Sequence, residues 1–209
     1  MSKVNMSNEI QTWFNNFLNI KCHEYPNFNF SEVLYLWKCI SEYEQTPSII
    51  CLSGYLTMHG LGVKKNTKDA YENFLFASKS NHSEAIFWLG IMYFNGIYVR
   101  RDIPRGINLI KKAAKLKNIN ASNDLASFYV SGRDIEQNIP KAIALYTFAA
   151  QNNSKLALLN LQLLSRNNLC SVEQMQLTID PPIMVKRKTS FISRMYNHFF
   201  PSDEKQTLL

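Results

Sequence analysis

Residues Glu84 to Asn118 read EAIFWLGIMYFNGIYVRRDIPRGINLIKKAAKLKN, and the same frame returns on either side. Upstream, Ser48 to His82 read SIICLSGYLTMHGLGVKKNTKDAYENFLFASKSNH; downstream, Asn120 to Asn153 read NASNDLASFYVSGRDIEQNIPKAIALYTFAAQNN. Gly60, Gly96 and Gly132 stand 36 residues apart. Three positions after them come Val63, Val99 and Ile135; ten after, Ala70, Gly106 and Ala142; seventeen after, Ala77, Ala113 and Ala149. Pro104 and Pro140 share a column as well. Agreement at this many columns without a gap marks a stacked repeat array.

Each column has a physical reason. Ala85, Leu89 and Tyr93 fall on one face of a helix ahead of the glycine. The glycine ends that helix in a left-handed backbone that a Cβ would disfavour. The branched residue three positions on is expected to plug the loop between helices. Pro104 and Pro140 suit the first turn of a second helix, whose stripe in the middle repeat is Gly106, Leu109, Ile110 and Ala113. Small residues at the columns of Ala70 and Ala77 let helices approach closely. The unit is a helix–turn–helix pair that cannot bury both faces alone, so neighbours must stack.

These residues carry a family resemblance. Ala85, Leu89-Gly90, Tyr93, Gly96, Val99, Asp102, Arg105-Gly106 and Lys112-Ala113-Ala114 look like the Sel1-like repeat, a relative of the tetratricopeptide repeat. The third copy keeps Ala121, Leu125-Ala126, Tyr129, Gly132, Lys141-Ala142 and Ala149-Ala150. In the first, Ser53 and Thr57 replace the usual Leu and Tyr. The cysteine pairs of the disulfide-stapled, exported branch are missing. The expected fold is all-α: a right-handed α/α solenoid of stacked 36-residue helix–turn–helix repeats with helical caps.

The domain reading has three parts. Residues 1–46 form an N-terminal helical cap or degenerate repeat, with apolar stripes in 7–20 and 31–45. Residues 47–179 hold the repeats (48–82, 84–118, 120–153) plus a closing half-repeat whose helix is SKLALLNLQLLS at 154–165. Residues 180–209 are a linker at Asp180-Pro181-Pro182, a basic amphipathic helix and a tail. No apolar run reaches the 18 residues of a spanning helix, and the first twenty residues lack a secretory-signal pattern. Reduced thiols are expected for Cys22, Cys39, Cys51 and Cys170.

The chemistry-bearing motifs are missing. All seven glycines are placed at helix ends, turns or helix contacts, and none belongs to a phosphate-cradling loop. His23, His59, His82 and His198 form no metal spacing. His59 is expected to face solvent. Cys51 and His59 lie two turns apart on one helix, a weak catalytic signal. The chain reads as non-catalytic, with no cofactor and no metal. The net charge of +7 is modest and partly gathered in 186–209, so nucleic acid is not the expected partner.

Three surfaces are candidates for a partner. Spacing on the first helices gives an inner, concave face of Cys51, Tyr55 and Met58, then Phe87, Ile91 and Phe94, then Asn123, Ser127 and Val130; Tyr55, Met58, Phe87, Ile91, Phe94, Ser127 and Val130 are the binding candidates among them. Lys64, Lys65, Arg100 and Arg101 share columns and form a basic edge for an acidic protein or anionic headgroup, with Lys111, Lys112, Lys115 and Lys117 nearby. In 186–200, Phe191, Ile192, Met195, Tyr196, Phe199 and Phe200 make an apolar face beside Lys186, Arg187, Lys188 and Arg194. That segment either binds an anionic membrane surface or a partner, or folds back on the solenoid. The last six residues match the acidic dileucine sorting pattern.

The resemblance implies an adaptor or scaffold that binds another protein through the concave face. Sel1-like proteins are linked by family to complex assembly, membrane-associated quality control and bacterial interference with host vesicle traffic. The expected location is cytoplasmic, or secreted without a Sec signal into a host cell as an effector. The alternative is a peripheral membrane protein anchored by 186–200.

Overall fold

The computed structural model describes residues 45–167 and 169. Seven helices follow one another there: α1 (Pro47–His59), α2 (Thr67–Ser78), α3 (Ser83–Asn95), α4 (Ile103–Lys115), α5 (Ile119–Ser131), α6 (Ile139–Gln151) and α7 (Lys155–Arg166). The odd-numbered helices are the first members of each repeat, and α7 is the closing half-repeat.

Every helix start carries a side-chain cap, and the caps obey the period. Thr46, His82, Asn118 and Ser154 accept from Ile49, Ala85, Ala121 and Ala157 N–H at the starts of α1, α3, α5 and α7. Asn66, Asp102 and Asn138 do the same for α2, α4 and α6. A cap of this kind contributes about 1 kcal/mol. Pro47, Pro104 and Pro140 sit in the first turns, where no N–H is needed.

The first helices end as the glycine period requires. Gly60, Gly96 and Gly132 have φ of 71°, 72° and 65°. After each, the chain runs back so that Asn66, Asp102 and Asn138 N–H bond the carbonyls of Thr57, Tyr93 and Tyr129 at 3.0, 2.8 and 2.9 Å. The three loops therefore share this closing bond, and the first two also share a left-handed residue two positions after the glycine, Gly62 and Tyr98. The second helices exit through left-handed residues Asn81, Lys117 and Asn153, again 36 apart.

Each helix packs on its chain neighbours. Ala70, Ala77, Ala113, Ala142 and Ala149 are completely buried, so small side chains set the approach distance. The approach is closest between α3 and α4. A Cβ on Gly106 would lie 2.7 Å from Phe94 N and 2.8 Å from Gly90 O, so the two backbones touch. Val99 and Ile135 plug their loops against the core, whereas Val63 is exposed; the plug expected in the first repeat is not made there. The helices read at 7–20 and 31–45, residues 171–179 and everything from 180 onward lie outside the described residues.

Candidate functional site

The inner face of the first helices differs from its sequence reading. Tyr55, Met58 and Phe87 are 2, 4 and 5% exposed, and Cys51 and Asn123 are buried too. They are core residues, not open surface. Tyr55 packs on His59 and Trp88 with ring centroids 4.6 and 5.2 Å apart, and Trp88 stacks on Phe74 and meets Phe87. His59 is correspondingly half-buried rather than solvent-facing. Burial, then the charge of Lys65, holds its pKa below the usual histidine value. The signal for this was in the sequence: α1 and α3 are apolar nearly all round, as helices covered on both sides are.

Four of the candidates keep partial access. Ile91 and Phe94 on α3 and Ser127 and Val130 on α5 are half-buried. Phe94 and Phe128 bring their rings to 5.0 Å across the two helices, which joins the repeats into one strip. Ser127 donates to Asn123 O at 3.2 Å, leaving Tyr146 to donate to Ser127 Oγ at 2.7 Å. Near the strip, burial raises the Asp124 carboxyl to about 6.

A polar ladder at the starts of the first helices ties each repeat to the next. His82 uses Nδ1 to accept from Ala85 N–H, so the ring is neutral with its proton on Nε2, which donates to Ser48 Oγ at 3.0 Å. Burial lowers the His82 pKa to about 4, in keeping with that tautomer. One repeat later Asn118 plays the same double part. Its Oδ1 caps Ala121 at 2.7 Å and its Nδ2 donates to Glu84. Asn120 Nδ2 reaches the other Glu84 oxygen at 3.5 Å. Asn160 Nδ2 donates to Asn123 Oδ1 at 3.4 Å, linking α7 to α5. Glu84 is fully buried, and loss of solvent raises its pKa to about 7 despite the amides that favour the charged form. These partners lie 34 to 37 residues apart. The columns Ser48/Glu84/Asn120 and His82/Asn118/Ser154 could have revealed the ladder, but their residue types differ from copy to copy.

Lys64, Lys65, Arg100 and Arg101 are all exposed. Arg101 Nε donates to Phe94 O at 3.1 Å, as Gln137 Nε2 does to Val130 O at 2.8 Å one repeat on. A shallow groove of about 630 Å³ is lined by Tyr93, Arg100, Arg101, Asp102, Ile103, Pro104 and Arg105. The Arg105 guanidinium lies 4.0 Å over the Tyr93 ring, and Tyr93 OH meets Tyr71 OH at 2.9 Å. Beside them Tyr98 is half-exposed with φ of 63°, where the first repeat has Gly62 at 70°. An aromatic residue in that region is a conformational outlier.

Among the described residues, no three His, Cys, Asp or Glu side chains converge as a metal site, and no helix is long and apolar enough to cross a membrane. Cys51 is sealed in the core. The candidates Lys186, Arg187, Lys188, Phe191, Ile192, Arg194, Met195, Phe199 and Phe200, and the terminal dileucine, lie outside the described residues.

The Sel1 repeat family matches residues 51–82, 83–118 and 119–154. A curated relative, the ERAD-associated E3 ubiquitin-protein ligase component HRD3 of Candida glabrata, is 30% identical over 94 residues, 44% of this chain and 10% of that protein. Protein SHC1 of Saccharomyces cerevisiae is 30% identical over 117 residues, 56% of this chain and 23% of its own length. The chain thus spans under a quarter of either relative. Among solved structures, a Sel1 repeat protein from Oxalobacter formigenes superposes with a TM-score of 0.57 at 24% identity, covering 72% of this chain and 69% of that one. A protective antigen of uropathogenic Escherichia coli with an SLR fold gives 0.53 at 20% identity, covering 68% and 29%. Both likenesses concern the fold.

Proposed function

Because this chain belongs to the Sel1 repeat family, an all-α repeat solenoid, we propose that it is a non-catalytic interaction module whose α3–α5 strip binds another protein. The observation that carries the reading is the strip of Ile91, Phe94, Ser127 and Val130. It is partly open and apolar, and it is held rigid by a fully buried core beneath. A preorganised apolar surface of this kind costs little ordering entropy on binding. Repeat arrays present such continuous faces because each unit adds the same columns.

Within this reading, Tyr55, Met58 and Phe87 act as the packing that fixes the strip, not as contacts. The finer assignments, an effector delivered into a host cell or a peripheral membrane protein anchored by 186–200, rest on the sequence alone. Crosslinking and mass spectrometry on the native chain, against an I91E/V130E variant that keeps its helical circular dichroism, test the strip. The expected result is loss of the crosslinked partners in the variant. An unchanged partner set would remove the strip from consideration.

A further inference from the structure

We propose that the groove of Arg100, Arg101 and Arg105, with Tyr98 at its side, is a second interaction surface that takes an extended acidic segment of a protein partner. Its side chains are not those of the α3–α5 strip, although Arg101 bonds the carbonyl of the strip residue Phe94, and the proposal does not depend on the strip binding a partner.

Three observations converge. First, the guanidinium groups are already placed: Arg101 is tied to the Phe94 carbonyl and Arg105 is stacked on Tyr93. Planar forks held in position match carboxylates without further ordering. Among the described residues, neither these two nor Arg100 forms an ion pair with a carboxylate. The groove's own acid, Asp102, is engaged in capping Arg105 N–H at 3.0 Å.

Second, Tyr98 holds a half-exposed ring in a left-handed backbone, with its centroid 5.4 Å from that of Tyr71. The loop does not need an aromatic there, since the first repeat holds the same left-handed position with Gly62. A strained, exposed aromatic packed on Tyr71, whose hydroxyl meets that of the Tyr93 under Arg105, is a feature of function more than of folding.

Third, the groove departs from the repeat pattern. The third repeat carries Asp134, Glu136, Gln137 and Lys141 at the columns of Tyr98, Arg100, Arg101 and Arg105. The basic edge therefore runs through Lys64, Lys65, Arg100 and Arg101 and stops where the sign reverses. A stretch two repeats long suits a short acidic peptide. A nucleic-acid or membrane surface engages a broader basic face.

The test uses the full chain and fluorescence anisotropy with a labelled octapeptide of glutamate, an octapeptide of lysine as control, and phosphatidylserine vesicles or single-stranded RNA as competitors. The wild type is expected to bind the glutamate peptide, less tightly as salt rises. An R100E/R101Q variant installs the third repeat's own residues at those columns, and Gln137 shows that the carbonyl bond survives. It should bind at least tenfold more weakly. R105Q, whose backbone N–H still donates to Asp102 Oδ1, should weaken binding as well. Y98G should lose affinity while its thermal midpoint holds or rises, which a purely structural tyrosine would not do. The proposal is overturned if the glutamate peptide binds no better than the lysine one, or if R100E/R101Q and R105Q bind like wild type. Vesicles or RNA that bind and resist displacement by the peptide would overturn it too.

Discussion

Half-buried His82 and buried Glu84, two positions apart, set opposite pH responses in the joint between repeats. His82 has its pKa lowered to about 4 by burial. The unfolded chain, near 6.5, therefore binds more protons between those values, and the stability His82 contributes is lost as pH falls from about 6.5 through 4. Protonation would also turn the Nδ1 acceptor that caps α3 into a donor facing Ala85 N–H. Glu84 has its pKa raised to about 7 by burial. Its contribution is present below about 4.5 and is lost as pH rises through 7; Asp124, raised to about 6, acts in the same direction. The two variants separate the terms. H82N copies the Asn118 cap and should match wild type at pH 7 but exceed it near pH 4 by roughly 3 kcal/mol. E84Q should gain on wild type as pH rises, reaching roughly 3 kcal/mol above pH 7. Urea unfolding across pH 4 to 8 reads both, and a constant offset between E84Q and wild type would refute the raised carboxyl.

The helix pair α3–α4 depends on two glycines that the other copies do not share together. Gly90 and Gly106 lie so close that a Cβ on Gly106 would fall within 2.9 Å of the Phe94 backbone. The third repeat has Ala126 and Ala142 at the same columns, both buried. Gly106→Ala should therefore cost roughly 2 kcal/mol through forced separation of α3 and α4, although alanine is the better helix former. Ala142→Gly should cost about 1 kcal/mol, from lost helix propensity. Thermal denaturation of the two variants checks the contrast; a stabilised G106A would contradict the backbone contact. At this scale much was legible. The glycine period located the turns, the exits of the first helices and the small-residue contacts, because those positions admit few residue types. The capping columns are hidden in the sequence, since Thr46, His82, Asn118 and Ser154 do one job with four different side chains. The burial of Tyr55, Met58 and Phe87 escapes the sequence for another reason. A single helix's spacing shows which residues share a face, but only the neighbouring helices decide which faces stay open.

Across the whole array, stability should be uneven, because the buried residues divide into two clusters of different quality. One reaches from α1 into α5 and contains Tyr55, Phe74, Phe87, Trp88, Met92 and Ile110. The other, spanning α5 to α7, has among the described residues seven buried members, of which Ala126, Ala142, Ala149 and Ala157 are alanines. Apolar area sets the driving force, so the second cluster holds its helices less strongly. In a stacked array each repeat is stabilised chiefly by its neighbours, and openings can stop at a weak joint. Hydrogen exchange in the native state should then show α6 and α7 exchanging at lower free energy than α3 and α4. Leu161, only 1% exposed, is the most deeply buried leucine of this cluster among the described residues. Leu161→Ala should cost about 2–4 kcal/mol and lower protection in α6 and α7 while leaving α3 and α4 unchanged. Equal loss of protection along every helix would mean that the repeats open as one unit. In that case the rigidity assigned to the α3–α5 strip would depend on the C-terminal cluster as much as on the aromatic core.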